Sequence, residues 1–316
     1  MSTISSGVFV LHVSSQIFKD LYKHEGVVIK DIIENMLTDV ECAQLGLPEQ
    51  SYDWKRFPHS NLVLKSVPPD KKQSALVSVT SDLKDALLLE DFNEGKSKAH
   101  GLHSRNKEQN MVLNALFDEE VKCVTIEGKA GSGKTICALA AALALLQRKK
   151  YEKIILSRPM SAVGSPMGAL PGTAEEKFRP YLENYFDNFE FLMGKNGMNY
   201  LEAMIDKGQI EFKPLKLIGG SSWHNSLVIA DEVQSLTPEQ FYALTTRPAE
   251  GTKIVLMGDS AQRYGKAKDV TTTGLYQWTE NVLIHESPIV SYIKLVKQER
   301  SALADLAYKV FVDEDG

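Results

Sequence analysis

The residues best suited to chemistry in this 316-residue chain lie together at positions 128–135. Their order, Gly-Lys-Ala-Gly-Ser-Gly-Lys-Thr, fits the pattern G-x-x-x-x-G-K-[ST], whose glycines let successive backbone N–H groups turn inward around phosphate oxygens. We expect the Lys134 ammonium to contact the β- and γ-phosphates and the Thr135 hydroxyl to bind Mg²⁺. The predicted phosphate-binding residues are Gly128, Lys129, Ala130, Gly131, Ser132, Gly133, Lys134 and Thr135.

The segments on either side of this loop support the same interpretation. Residues 121–126 (Val-Lys-Cys-Val-Thr-Ile) predict a short buried strand, and residues 136–148 predict a helix rich in alanine and leucine. A helix that begins at the loop directs its positive N-terminal end toward a bound phosphate. An ordinary glycine turn is the alternative, and the match of both pattern and context argues against it.

Two adjacent acids follow a second apolar strand, residues 227–230 (Leu-Val-Ile-Ala). In a phosphate-loop enzyme the first acid holds Mg²⁺, and the next acid can orient and deprotonate an attacking water. We therefore predict Asp231 as a metal ligand and Glu232 as the general base. The alternative is a strand end capped by solvent, although two neighbouring carboxylates repel each other unless a cation lies nearby.

Two glutamines extend this set of candidates. Gln262 follows the apolar strand 253–257 and the pair Gly258-Asp259, a position from which an amide can contact the γ-phosphate. Gln109 lies about twenty residues before the phosphate loop, and its paired donor and acceptor could recognise the adenine edge. A simple turn after the strand and a surface glutamine are the respective alternatives.

Phosphoryl transfer spreads negative charge over the γ-oxygens, so an arginine is expected among the catalytic residues. The candidates are Arg158, Arg247, Arg263 and Arg300. We include Arg300 and Arg247 in the catalytic set with Lys134, Glu232 and Gln262, although spacing does not choose among the four arginines.

The order of strands and helices predicts an α/β fold. From residue 105 onward, short Val/Ile/Leu-rich strands alternate with helical segments, which is typical of a parallel sheet between helices. Ligands of such sheets bind at the carboxyl ends of the strands, where the phosphate loop falls. Short β-like runs separated by polar pieces fill residues 1–104. We predict a small strand-containing accessory domain with a linker at 1–104 and an ATPase domain at 105–316.

Composition narrows the classes of protein that fit. The net charge of −5 argues against a protein that coats nucleic acid by bulk charge, although residues 247–268 form a basic stretch with a net charge of +3. Neither a signal peptide nor a run of about 18 apolar residues is evident, so no membrane association is expected. Cys42, Cys123 and Cys137 are too far apart for a C-x-x-C site, and a cytoplasmic location fits these features.

Together these motifs resemble the PhoH family of ATPases, which is related to superfamily-one helicases. The likeness runs from residue 105 to about residue 308, and its ordered motifs make chance improbable. The motifs are residues 105–109, 128–135, 158–159, 170–180, 187–192, 231–240, 250–253, 258–262 and 297–301.

The resemblance implies a RecA-like P-loop NTPase that uses ATP and Mg²⁺, forms ring-like homo-oligomers that are hexamers, and acts on RNA or single-stranded DNA in a helicase-like way. It is strongest to the branch that usually has an N-terminal PIN ribonuclease domain. The strand 8–13 ends in Ser14-Ser15 where such a nuclease has an aspartate, so no ribonuclease activity is expected.

Two departures from the family pattern bear on polynucleotide coupling. Gly-Gly-Ser at 219–221 replaces the usual Arg-Gly-Arg, which removes a basic contact. After Gln262 come Arg263, Tyr264, Lys266 and Lys268, a basic loop that could contact a nucleic-acid backbone or be a solvated charged loop.

Two rival functions stay open. A P-loop kinase would transfer the phosphoryl group to an acceptor instead of water, and a nucleotide-gated binding or scaffold module would bind ATP with little turnover. The pairing of Glu232 with Gln262 favours hydrolysis. The sequence leaves open the true substrate, unwinding and its polarity, the pathway and the function of the N-terminal part.

Overall fold

The computed structural model describes residues 8–47, 57–67, 72–93, 99–159, 182–214, 222–260 and 270–297, together with Leu306 and Val310. Within these ranges the strands form two separate sheets, one from residues 8–88 and one from residues 123–295. No helix in the described ranges is long and apolar enough to cross a membrane.

The N-terminal sheet has the strand order β1-β3-β4-β5-β2. β1 pairs parallel with β3, and the other neighbours are antiparallel. Its strands are β1 (Val8–Val13), β2 (Gly26–Val28), β3 (Asn61–Ser66), β4 (Ser74–Val79) and β5 (Asp85–Leu88). Three helices lie among them: α1 (Gln16–His24), α2 (Ile29–Asn35) and α3 (Asp39–Gln44).

This sheet has its own apolar core. Residues of β4 alternate between buried and more exposed positions, as a strand with one covered face requires. Phe18 and Leu21 of α1 and Ile32 of α2 are completely or almost completely buried in the core of this sheet. The strand-containing character predicted for the N-terminal part is therefore confirmed for the residues described, and the division at residue 104 remains our proposal.

The second sheet is entirely parallel, with the order β11-β6-β10-β9-β7-β8. Its strands are β6 (Cys123–Gly128), β7 (Lys153–Arg158), β8 (Ile210–Pro214), β9 (Ser226–Ala230), β10 (Lys253–Gly258) and β11 (Val290–Leu295). The helices of this part are α4 (Lys107–Phe117), α5 (Lys134–Gln147), α6 (Glu183–Met193), α7 (Gly197–Asp206), α8 (Pro238–Thr245), α9 (Gly274–Thr279) and α10 (Val282–His285).

Helices cover both faces of the parallel sheet, which explains its sequence pattern. Every residue of β6, β9 and β10 is buried, and β9 and β10 accordingly contain the continuous apolar runs 227–230 and 254–257. The helix α5 is buried from Cys137 to Leu146. The chain has the predicted RecA-like α/β fold, in which β10 lies between β6 and β9.

The cysteines are free thiols and are buried. Burial raises the pKa of both Cys123 and Cys137 to about 12, so neither thiol ionises near neutral pH.

Helix α4 joins the N-terminal part to the parallel sheet. Asn110 accepts a hydrogen bond from the Phe92 N–H at 2.8 Å and donates to the Glu90 carbonyl at 3.0 Å. Asn114, one turn later, bonds both backbone groups of Glu90. Ala99, in the segment expected to be a linker, is fully buried in the larger core.

A second junction forms around His59, which is 4% exposed. Its Nε2 lies 2.8 Å from the Pro288 carbonyl oxygen, and its Nδ1 lies 3.4 Å from the Asp118 carboxylate. Burial alone would lower the pKa of His59, but the bonds to Asp118 and Pro288 and the charges of Asp118 and Glu120 outweigh it and raise the pKa. When it is protonated, the ring donates to both partners, and these contacts link the two sheets.

We predict that His59→Gln lowers the free energy of unfolding by about 1–3 kcal/mol at pH 6 and by less at pH 8. Because the folded pKa is raised, the stabilisation is complete below the unfolded pKa of about 6.5 and is lost as the pH rises through the folded pKa. Urea unfolding at the two pH values measures the effect. His24→Gln, at an exposed position in the last turn of α1, serves as the control. An equal loss at both pH values would contradict the charged pairing.

Candidate nucleotide-binding site

The phosphate loop connects the end of β6 to the start of α5. Gly131 and Gly133 have φ angles of 79° and 95°, a region that residues with a Cβ rarely adopt. The Lys134 Nζ donates to the carbonyl oxygens of Gly128 and, at 3.1 Å, Lys129. The loop therefore folds around its own lysine ammonium, at the N-terminus of α5 where a phosphate is favoured.

Two close contacts fix the path of this loop. A Cβ on Gly128 would lie 2.9 Å from the Leu295 carbonyl oxygen at the end of β11 and 2.8 Å from the Ser132 hydroxyl. A Cβ on Gly133 would lie 2.6 Å from Nε2 of Gln109. A side chain at either position would therefore clash with its neighbours. At Gly133 the positive φ angle also disfavours any residue with a Cβ.

Gln109 is buried behind the loop, in the first turn of α4. Its Oε1 accepts from the Arg105 N–H at 2.9 Å, and its Nε2 donates to the Ser132 carbonyl at 3.0 Å. One amide hydrogen and one oxygen lone pair are left after these two bonds. The structure thus gives Gln109 a part in holding the loop, and adenine recognition by the same amide stays a prediction.

The predicted metal ligands lie together. The Thr135 hydroxyl oxygen is 3.3 Å from Oδ2 of Asp231, which follows β9 and is 2% exposed. Burial, and then the neighbouring Glu232, raise the pKa of Asp231, while Arg158 and Lys134 act in the opposite direction. A buried carboxylate whose charge is not fully compensated fits a divalent cation.

The loop itself offers a further sign of a missing ligand. Within the described ranges, the Ser132 hydroxyl oxygen is buried and has no hydrogen-bond partner. The same ranges contain no cluster of three or more His, Cys, Asp or Glu side chains that could enclose a metal ion. With Thr135 and Asp231 as protein ligands, phosphate and water oxygens would supply further ligands to Mg²⁺, as is usual for this ion.

Glu232 lies beside this pair in the left-handed region, with φ 58° and ψ 34°. Its Oε1 accepts from Nη2 of Arg158 at 3.2 Å, and its Oε2 accepts from Nε2 of Gln234 at 2.6 Å. Gln234 also accepts, through Oε1, from the Asp259 N–H at 3.3 Å. The proposed base is thus tied to the ends of β7 and β10, and Gln234 is a site residue that the sequence analysis did not assign.

Two of the arginine candidates, Arg158 and Arg247, lie at different ends of the strands. Arg158 ends β7 and reaches Glu232, so it lies in the site. Arg247 follows α8, and its carbonyl accepts from the Trp223 N–H, which precedes the amino end of β9. The backbone of Arg247 is therefore at the opposite end of the strands from the phosphate loop, and its catalytic role stays a prediction.

Several predicted elements fall outside the described residues. They are Gln262, Arg263, Tyr264, Lys266, Lys268, Arg300 and the segments 170–180 and 219–221. Glu127, which the sequence analysis passed over, lies inside: it is a buried carboxylate directly before the phosphate loop. An acid in an otherwise apolar strand was the available signal for it.

Residues 101–311 match the family model described as PhoH-like protein. The chain belongs to the PhoH family. This match covers most of the chain and includes every residue of the site described above. As a member of this family with a phosphate loop on a RecA-like sheet, the protein is a P-loop NTPase.

Its relatives include two proteins named Protein PhoH2. The one from Bacillus subtilis (strain 168) is 33% identical over 306 residues, which are 96% of this chain and 63% of that protein. The one from Thermobispora bispora is 34% identical over 257 residues, 81% of this chain and 56% of that protein. The PhoH-family chain thus spans less than two thirds of either relative. Among solved structures, Pif1 helicase from Candida albicans overlaps 66% of this chain and 44% of its own, with a TM-score of 0.34 and 14% identity.

We predict that Gly133→Ala abolishes nucleotide binding, because the new Cβ would collide with the Gln109 amide that holds the loop. Binding of a fluorescent ATP analogue measures the effect. Gly208→Ala is the matched control, because Gly208 also has a positive φ but has no atom within 4 Å of the added Cβ. Both variants lose about 1–2 kcal/mol of stability from the left-handed backbone. Equal nucleotide affinities in the two variants would contradict the close contact at Gly133.

Proposed function

We propose that this PhoH-family protein is a Mg²⁺-dependent ATPase in which water attacks the γ-phosphate. The arrangement of three side chains supports this most directly. The Thr135 hydroxyl oxygen is 3.3 Å from Oδ2 of Asp231, and Glu232 follows Asp231 at the end of β9. A metal-binding pair beside a carboxylate at a phosphate loop is the set that hydrolysis needs.

Binding of the triphosphate is assigned to the loop and Lys134. The ammonium donates to the Gly128 and Lys129 carbonyls, which hold it within the loop. The β- and γ-phosphates would replace these weak acceptors with charged ones. Mg²⁺ held at Thr135 and Asp231 would neutralise charge on the phosphate oxygens.

Proton transfer is assigned to Glu232. Its carboxylate accepts a proton from the attacking water as the new bond to phosphorus forms, and the β-phosphate leaves with the electron pair of the broken bond. Arg158 and Gln234 fix the orientation of the carboxylate from two sides. Arg158, which pairs with Glu232, and Arg300 are candidates to stabilise negative charge on the γ-phosphoryl group, and Gln262 is assigned to positioning the attacking water.

We predict that Lys134→Ala lowers turnover at least about 100-fold together with ATP affinity, whereas Glu232→Gln lowers kcat about 100- to 10,000-fold with little change in affinity. The difference arises because Lys134 contacts phosphate in the bound state, whereas Glu232 is needed for the proton. Phosphate release and analogue binding measure the two quantities. Lys150→Ala, which breaks an exposed ion pair with Glu119, is the control and should match the wild type.

The rival functions give different results in the same assays. A P-loop kinase would release little phosphate without an acceptor, and a nucleotide-gated scaffold would bind the analogue but turn over ATP negligibly. Turnover that survives Lys134→Ala would point to a contaminating enzyme and would contradict the proposed site.

We further propose that the protein assembles as a homo-oligomer, a hexamer, that acts on RNA or single-stranded DNA. This part rests on the resemblance to the PhoH family and its relation to superfamily-one helicases. A cytoplasmic location belongs to the same proposal.

We expect single-stranded RNA or DNA of about 30 nucleotides to raise ATP turnover several-fold, and a duplex of the same sequence to raise it less. The stimulation should fall steeply with salt, because contacts to phosphates displace counterions. Phosphate release at two salt concentrations, with the oligomeric state measured by light scattering, tests both points. Turnover unaffected by any polynucleotide would contradict the coupling and leave the ATPase assignment standing.

A further inference from the structure

Glu127 is a buried carboxylate that the hydrolysis scheme above does not use. It lies in β6 directly before Gly128, and the residue is 4% exposed. Its two oxygens receive three donors: the Ser260 hydroxyl and the Lys294 ammonium (3.2 Å) at Oε1, and the Tyr292 hydroxyl (2.8 Å) at Oε2. A carboxylate is retained in such a place only when its charge is paired and its lone pairs are bonded, as they are here.

The three donors come from the two strands on either side of β6. Ser260 follows β10, and Tyr292 and Lys294 lie in the edge strand β11. The backbone reinforces the second link, because Gly128 is paired with Leu295 and has no room for a Cβ against it. Glu127 therefore joins the base of the phosphate loop to both neighbouring strand ends.

The bonds continue from Ser260 to the proposed general base. Asp259, the residue before Ser260, donates its N–H to Gln234, whose amide nitrogen bonds Glu232. Glu232 in turn accepts from Arg158 at the end of β7. A series of polar contacts thus crosses the carboxyl ends of five adjacent strands, in the order β11, β6, β10, β9 and β7. Glu127 is the residue of this series that lies next to the phosphate loop.

The chemistry of the partners keeps the arrangement intact near neutral pH. Burial and the adjacent carboxylate raise the pKa of Tyr292, with Glu280 adding to the effect, so its hydroxyl stays protonated and remains a donor. Lys294 is half-exposed and brings the positive charge that the buried carboxylate needs. A neutral side chain at position 127 would leave this charge without its partner.

We propose that Glu127 is a positioning residue that couples occupancy of the phosphate loop to the edge strand β11 and to Ser260. When nucleotide orders the loop, the contacts of Glu127 also order the carboxyl ends of β10 and β11. Residues 262 and 300 follow these two strands in the sequence. The predicted effect on kcat rests on the proposed function, whereas the coupling itself requires only that nucleotide binds.

Hydrogen–deuterium exchange with and without Mg²⁺ and adenylyl-imidodiphosphate tests the coupling without hydrolysis. In the wild type, we expect bound analogue to slow exchange in residues 129–135 and also in residues 290–297. In Glu127→Ala, protection of 129–135 should persist, whereas protection of 290–297 should be lost. Glu127→Gln, which keeps an acceptor oxygen but removes the charge, should give an intermediate loss and is used alone if the alanine variant does not fold.

Steady-state kinetics provide the second measurement. Misplacement of the strand ends should lower kcat about 10- to 100-fold in Glu127→Ala, with KM for ATP within about threefold of the wild type and partial recovery in Glu127→Gln. The matched control is Glu211→Gln in β8, a carboxylate that pairs with Lys153 and Lys213 away from the site. This variant should behave as the wild type in both measurements.

The outcomes separate the inference from the function on which it rests. No protection of 129–135 in the wild type would contradict the nucleotide site itself and the inference with it. Protection of 129–135 without protection of 290–297 in the wild type, or full protection of 290–297 in a folded Glu127 variant, would overturn the inference alone. A fall in kcat of the same size in Glu211→Gln would also overturn it, because loss of any carboxylate–lysine pair in the parallel sheet would then explain the effect.

Discussion

The site depends on the close approach of β11 to the first residue of the phosphate loop. Gly128 is paired with Leu295 and lies so near the Leu295 carbonyl that a Cβ would be 2.9 Å from it. That contact holds the loop at the carboxyl end of β6. The neighbouring strand β10 ends on the same side of the sheet, where it places Asp259 and Ser260. Because all pairings in this sheet are parallel, Asp231 after β9 and Arg158 at the end of β7 arrive there too.

The parts of the fold that the sequence predicts well are those governed by local patterns. The apolar runs of β9 and β10 follow from burial on both faces, and the glycine loop follows from its phosphate-binding pattern. The boundaries of β6 were predicted at 121–126 and lie at Cys123–Gly128. The shift arises because Gly128, assigned to the loop by its pattern, remains paired with β11.

What the sequence could not supply are contacts between residues distant along the chain. Glu127 and Tyr292 are 165 residues apart, and no local pattern announces their hydrogen bond. The choice among arginines is a similar case, because Arg158 and Arg247 both follow regular elements in the sequence. The direction of the strands determines where each arginine lies. Arg158 is at the carboxyl end of a strand, and the backbone of Arg247 is near an amino end.

The pairing of charges along this edge indicates where a cation is most favoured. Glu127 has Lys294 at 3.2 Å, and Glu232 has Arg158 at 3.2 Å, so each has a specific basic partner. Asp231 is the most buried of the three acids, and its pKa is raised despite the charges of Arg158 and Lys134. A divalent cation beside Asp231 and Thr135 would relieve that imbalance.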